Sequence, residues 1–228
     1  MAGIRCVGVE KVYKIKDVET HALSGVDLEV GPGEFTALAG PSGSGKTTLL
    51  NLIGGLDQPT RGTVHLDGLE ISALPQSQLS ELRLRRMGFV FQAFNLIPVL
   101  SALENVEYIL LLQGLPPRER RERARAILAE VGLADIVDKR PMQMSGGQQQ
   151  RVAVARAIVH NPELVLADEP TANLDSKNAL ALLQIMLELN QKKNITFLFS
   201  THDPRVMDHA RRLVELRDGK VESDTRKA

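Results

Sequence analysis

Gly40-Pro41-Ser42-Gly43-Ser44-Gly45-Lys46-Thr47 fits the pattern G-x-x-x-x-G-K-[S/T], and Thr48 follows it. Average composition produces this pattern by chance in about one chain of this length in a hundred. Its residue types suit one task, holding a phosphate chain. Glycines let backbone amides converge on phosphate oxygens with no Cβ in the way. A helix opening at Lys46 turns its positive end toward the same anion. Lys46 adds a point charge near the β- and γ-phosphates, and the Thr47 hydroxyl suits Mg²⁺. The plain alternative is a glycine-rich strand-to-helix turn with a solvent-facing Lys. Such a turn does not need Lys followed by Thr.

Leu164-Val-Leu-Ala-Asp168-Glu169-Pro170 is an apolar strand that ends in two carboxylates. Asp168 is placed to hold Mg²⁺ through water. Glu169, one residue further, is placed to orient and deprotonate an attacking water, a role worth ~10²–10⁴-fold in rate. Ser145-Gly146-Gly147-Gln148 leads into a helical stretch. Ser145 and Gln148 have capping-box spacing. The two bare glycines at a helix start also offer a second anion site. A nucleotide bound at the first helix start leaves the second free to complete the site of another copy, which hints at a composite dimeric ATP site.

The elements that must position these groups alternate between strand and helix, the pattern of an α/β fold. Runs at 35–39, 87–91, 164–167, 195–199 and 212–216 are short and apolar without strict alternation. They read as strands buried on both faces of a parallel sheet. Segments 7–13 and 26–30 alternate apolar and polar, as antiparallel strands with one wet face do. Asp218-Gly219 marks a hairpin. Lys46 to Ile53 reads as a helix ended by Gly54-Gly55. From Gln92 to Asn161 the texture turns helical. Pro116-Pro117 opens a helix with Ala124, Ile127, Leu128 and Val131 as its apolar stripe and Glu119 and Arg123 paired one turn apart. The expected organisation is a single unit over 1–228: a core of 1–91 and 162–222, a helical subdomain at 92–161 carrying Ser145–Gln148, and a frayed tail at 223–228.

Composition narrows the function. The chain has 228 residues, with 28 Lys+Arg against 28 Asp+Glu. This neutral balance argues against a nucleic-acid partner. Hydrophobic content of 43% and charged content of 25% describe a globular chain rather than a disordered one. The single cysteine, Cys6, cannot form an intrachain disulfide, which suits a reducing compartment. No run approaches the ~20 apolar residues of a membrane span. The first residues resemble neither a signal peptide nor a lipidation signal. Action at a membrane would therefore require a partner to supply the span.

The cradle at 40–47, Ser145–Gln148, the acidic strand 164–169, Asn173-Leu174-Asp175 and Thr201-His202-Asp203 resemble, in order and spacing, the ATP-binding cassette (ABC) subunits of transporters. The likeness covers essentially the whole chain. It implies a P-loop NTPase fold of the ABC nucleotide-binding type, with a RecA-like parallel-sheet core, an N-terminal antiparallel β subdomain and an inserted helical subdomain. It implies ATP hydrolysis with ATP and Mg²⁺ at a head-to-tail homodimer interface. The nucleotide would lie against Gly40–Thr48 of one copy and Ser145, Gly146, Gly147, Gln148 and Asp175 of the other. Gln92 would approach Mg²⁺ and the attacking water and couple the site to a transmembrane permease. His202 would reach the γ-phosphate, and Tyr13 would stack on adenine. His21, His65, His160 and His209 match nothing and are read as structural, and Glu10 and Lys11 receive no role.

Phe91–Val106, Ala167–Asp175 and Phe199–Asp203 are similar to the lipoprotein-releasing and macrolide-export group of cassettes. Met144 stands where Leu is usual, and Ala172 where this group often has Gly. The implied location is the inner face of the cell membrane, peripheral, through the permease. One rival lies inside the family: an ATPase that drives cell-wall remodelling at division without moving cargo. DNA-repair ATPases carry long coiled coils or zinc modules between the same motifs, and the short insert here, without cysteine, argues against them. GTPases carry an Asn-Lys-x-Asp motif that this sequence lacks.

Overall fold

Five runs form the centre of the molecule; those at 35–39, 87–90, 164–167 and 196–201 are buried on both faces, while 212–217 alternates buried and half-buried residues before an exposed Arg217. The structure is a computed structural model that describes residues 3–16 and 18–227. Its elements are β1 (Ile4–Ile15), β2 (Val18–Val30), β3 (Phe35–Ala39), α1 (Lys46–Ile53), β4 (Arg61–Leu66), β5 (Leu69–Glu70), α2 (Gln76–Arg86), β6 (Met87–Val90), α3 (Ala102–Leu112), α4 (Pro117–Glu130), α5 (Gly146–Ile158), β7 (Leu164–Ala167), α6 (Ser176–Lys193), β8 (Thr196–Thr201), α7 (Pro204–His209), β9 (Arg212–Arg217) and β10 (Lys220–Arg226).

Two sheets result. One has the order β10-β9-β3-β8-β7-β6, parallel from β9 to β6, with β10 antiparallel at one edge. The other is antiparallel, in the order β2-β1-β4-β5. Successive residues of a strand point to opposite faces. Phe197 and Phe199 of β8 and Val165 and Ala167 of β7 therefore enter a core shared with α3, α4, α5 and α6. Leu198, Leu164 and Leu166 enter a second core shared with α1 and the antiparallel sheet. The parallel sheet is thus the wall between two cores, with the carboxyl ends of its strands aligned at one edge, where ligands bind in open α/β sheets.

The helical insert forms as its sequence suggests. Ser101 and Glu104 make a capping box at α3. Pro117 opens α4, whose Ala124, Ile127 and Leu128 are buried, as is Val131 just beyond. Arg123 and Glu119 pair across one turn at 2.6 Å. Two features differ from the sequence reading. Segments 61–70 and 76–86, unassigned there, form β4, β5 and α2. The tail is not frayed from Ser223: β10 continues to Arg226. Arg212 holds it, donating to Asp224 through two bonds of 2.8 and 2.7 Å and to Glu34 at 2.7 Å. This charge pairing outweighs the polar composition that suggested fraying. No helix among the described residues is long and apolar enough to cross a membrane.

Candidate functional site

β3 ends at Gly40, and the chain wraps from there into α1. Gly45 is the N-cap of α1 at φ 102°, a left-handed conformation that favours glycine. A Cβ there would lie 2.5 Å from the Ala22 carbonyl oxygen, and one on Gly40 would lie 2.2 Å from that of Leu216. The cradle is therefore moulded against β2 and β9. The turn at Asp218-Gly219 closes the same wall, with Gly219 N–H donating to Ser44 O at 3.1 Å and Ser24 N–H donating to Gly219 O at 2.9 Å.

The groups that the cradle presents suit an anion. No side chain among the described residues caps α1, and its first turn holds no acid, so its leading N–H groups are free to bond a ligand. Ser44 is buried, and its Oγ has no hydrogen-bond partner among the described residues. Lys46 is 7% exposed and donates to Gly40 O at 2.8 Å and Pro41 O at 2.9 Å. Among the described residues its charge is bonded to these neutral carbonyls, a poor substitute for phosphate.

A cavity of about 680 Å³ opens over this surface. Pro41, Ser42, Gly43, Gly45, Lys46, Thr47 and Thr48 line it, together with Gln92, Glu169 and His202. Thr47 Oγ1 donates to Asp168, 3.0 Å from each carboxylate oxygen. Asp168 and Glu169 follow β7 directly, and His202 follows β8. Glu169 has φ 46°, a conformation uncommon for a side chain of its size and of the kind found at active sites. Its Oε1 lies 2.9 Å from His202 Nδ1. Strand ends thus bring the cradle, Gln92, both acids and the histidine to one place.

Tyr13 stands at the border of the cavity. Its cross-strand partner Thr20 lines the cavity, and its phenol meets the side chain of Thr48. Burial, then the hydrogen bond to Asp57, raises the Tyr13 pKa above its ordinary value. Ser145, Gly146, Gly147, Gln148 and Asp175 stand outside the cavity. Ser145 and Gln148 form the capping box of α5, at 3.3 and 3.0 Å. Asp175 caps α6 through Asn178 N–H at 3.0 Å, and its hydrogen bonds to Asn178 hold its carboxyl below the ordinary value. The two helix starts adjoin, since a Cβ on Gly147 would come within 3.2 Å of Asn178 Oδ1.

Several contributors escape a reading of motifs. Ser200 is fully buried between the acids, accepting from Glu169 N–H at 2.8 Å and donating to Asp168 Oδ1 at 2.6 Å. The signal for it is the first of two hydroxyl residues, Ser200 and Thr201, that end an apolar run just before His202. His21, read as structural, lines the cavity with Thr20 and Ala22. The β1–β2 register steps from Lys11↔Leu23 to Val12↔His21, leaving Ala22 as an extra residue whose carbonyl faces Gly45. From α5, Arg156 donates to Asn95 O at 2.6 Å and Phe94 O at 3.0 Å, fixing the loop after Gln92 where both residues have positive φ. Gln150 donates to Pro170 O at 2.7 Å. The helix that Ser145 opens therefore braces both the Gln92 loop and the turn after Glu169.

A phosphate cradle at the carboxyl ends of parallel strands, facing two acids and a histidine, defines a P-loop nucleoside-triphosphate hydrolase. Residues 23–172 match the family model described as ABC transporter. The chain is 50% identical over 218 residues to the lipoprotein-releasing system ATP-binding protein LolD of Anaeromyxobacter dehalogenans, a match covering 95% of this chain and 91% of that protein. It is 47% identical over 219 residues to the macrolide export ATP-binding/permease protein MacB of Syntrophobacter fumaroxidans. That match covers 95% of this chain but 31% of the relative, so the chain spans about a third of MacB's length. A dimeric structure of the ATP-binding cassette MJ0796 bound to ADP and Pi agrees with a TM-score of 0.91 at 43% identity, over 98% of each chain. The sequence of MJ0796, from Methanocaldococcus jannaschii, is 44% identical over 97% of this chain. The chain belongs to the ABC transporter family, as its ATP-hydrolysing cassette.

Proposed function

We propose that two copies of this chain clamp Mg-ATP between them and drive a separate permease that exports or releases lipoproteins, macrolide-like drugs or other hydrophobic cargo. The division of the site carries this reading. The cradle, Gln92, Glu169 and His202 share one cavity, whereas Ser145, Gly146 and Gly147 start a helix outside it. The Gly146 and Gly147 N–H groups, which precede the first intrahelical bonds of α5, would meet the nucleotide held by the other copy. The dimeric relative supports such an arrangement.

Each residue then has a physical task. Lys46 and the amides opening α1 hold the β- and γ-phosphates. Tyr13 stacks on adenine. Glu169 takes a proton from water as the water oxygen bonds to the γ-phosphorus. The bond from that phosphorus to the bridging oxygen breaks, leaving ADP and phosphate. His202 orients the Glu169 carboxylate and reaches the γ-phosphate. Asp175 and Ser145–Gln148 of the second copy close the site, with the positive end of α5 facing the transition-state charge. Thr47 and Asp168 offer hard oxygen donors side by side, and Gln92 lines the same cavity, a set that fits Mg²⁺. No group of three or more His, Cys, Asp and Glu side chains placed to hold a metal occurs among the described residues; Mg²⁺ characteristically takes one or two protein oxygens and keeps water and phosphate ligands. When bound, Mg²⁺ would neutralise charge on the β- and γ-phosphates.

The permease reading draws support from a groove of about 410 Å³ between the sheet and the helical insert. Phe89, Phe91, Ile97, Tyr108 and Arg156 line it, so a helix seated there would touch the loop that carries Gln92. Through that contact the chain would sit at the inner face of the cell membrane.

Hydrolysis by the purified chain should depend on pairing. While copies are mostly apart, tenfold dilution should lower turnover per chain about tenfold, by mass action. ATPase assays over a hundredfold concentration range check this, and constant turnover per chain would contradict it. Co-purification of the membrane partner, followed by a vesicle transport assay, separates cargo movement from force transmission without cargo.

A further inference from the structure

Lys11 and Asp57 belong to no motif named above, yet they converge on Tyr13. The Tyr13 phenol donates to Asp57 Oδ2 at 2.9 Å. Lys11 Nζ donates to Asp57 Oδ1 at 2.7 Å and to Gln58 O at 2.7 Å. The same ammonium lies 4.9 Å from the centroid of the Tyr13 ring, within cation–π range. The Lys11 side chain is only 12% exposed, so this is a partly desolvated cluster rather than a chance surface pair.

Asp57 is itself fixed. Leu56 and Asp57 N–H both donate to Asn51 O, at 2.9 and 3.3 Å, tying the turn to the end of α1. Gln58 N–H donates to Asp57 Oδ1 at 2.7 Å. Thr60 latches the segment to β1, donating through its N–H to Glu10 O at 2.8 Å and accepting from Val12 N–H at 3.0 Å. One rod of eight residues, α1, thus carries the phosphate cradle at its start and the Tyr13 anchor at its end. Tyr13 remains 37% exposed, leaving ring surface for a base.

We infer that Asp57 and Lys11 are positioning residues for nucleotide-base recognition, presetting the Tyr13 ring so that base and triphosphate are measured from the same helix. This rests on the reading of Tyr13 as the base platform. Phenol and ammonium are held by the two oxygens of one carboxylate, so the ring is ordered before nucleotide arrives and little side-chain freedom is lost on binding. Losing that order costs about 2- to 12-fold in affinity, the range for immobilising one side chain.

Calorimetry with two probes tests the inference. ATP reports base and phosphate together, whereas inorganic tripolyphosphate reports the cradle alone and serves as the folding control. Tyr13→Ala should weaken ATP about 5- to 150-fold, the range for one stacked base, and leave tripolyphosphate unchanged. Asp57→Ala should weaken ATP about 2- to 12-fold, again without effect on tripolyphosphate. Asp57→Asn, which keeps an acceptor for the phenol, should recover most of the loss. If Tyr13→Ala weakens both probes equally or neither, the platform reading fails. If Tyr13→Ala is selective but Asp57→Ala leaves ATP binding intact, the platform stands and the positioning role is overturned. Equal loss of both probes in Asp57→Ala would also overturn it, because Asp57 would then act through the cradle.

Discussion

Glu169→Gln should lower ATP turnover by ~10²–10⁴-fold, the range for a positioned general base, while ATP affinity stays near that of the parent. The substitution keeps the size of the side chain and an oxygen able to meet His202 Nδ1, now 2.9 Å from Glu169 Oε1. It removes the negative charge, and with it the capacity to take a proton from water. Lys46, Thr47 and the start of α1 do not contact the Glu169 carboxylate through any hydrogen bond described above, so the phosphate grip should persist. Single-turnover hydrolysis and equilibrium binding, measured on the same preparation, separate the two effects. Hydrolysis at the parental rate would remove Glu169 from the chemistry. A parallel loss of binding would show that its carboxylate shapes the cradle instead. Because Ser200 holds the Glu169 backbone, the substitution should leave the strand-end turn in place.

Lys46→Ala should produce the opposite division and lose nucleotide binding itself. Hydrogen bonds to a charged group contribute about 1.5–3 kcal/mol, which corresponds to ~10–150-fold in dissociation constant. Lys46 is almost fully enclosed and, among the described residues, donates to the carbonyls of Gly40 and Pro41. In the variant those carbonyls lose their donor, and the cradle loses the fixed charge of Lys46. Titration with ATP and with tripolyphosphate should show similar losses, since in the proposed site the lysine addresses phosphate and not base. Retention of parental affinity for both would place the triphosphate elsewhere in the molecule.

Much of this site is legible in the sequence, for reasons that can be located. The cradle is readable because phosphate chemistry demands glycines, a lysine and a hydroxyl at fixed spacing. The central strands are readable because burial on both faces leaves short unbroken apolar runs such as Leu164–Ala167, all four residues buried. Other parts depend on tertiary contacts that no local pattern encodes. β10 has a polar sequence and persists through the Arg212–Asp224 pair, formed between strands. In α2 only Leu79 and Leu82 are buried, too few for a visible stripe. His21 reaches the cavity through an extra residue in β2, which shifts the register beyond what alternation foretells. Lys11 and Asp57 are 46 residues apart and become neighbours through the pairing of β1 with β4 just beyond Thr60.

All of this depends on a nucleotide shared between two chains, and the mass of the Glu169→Gln chain in solution examines that point most directly. Light scattering with saturating Mg-ATP should report twice the mass seen without nucleotide. Adding Gly147→Arg, which places a bulky side chain at the start of α5, should return the particle to the mass of one chain while ATP still binds. A Glu169→Gln chain that binds ATP fully and stays at the mass of one copy would contradict the composite site.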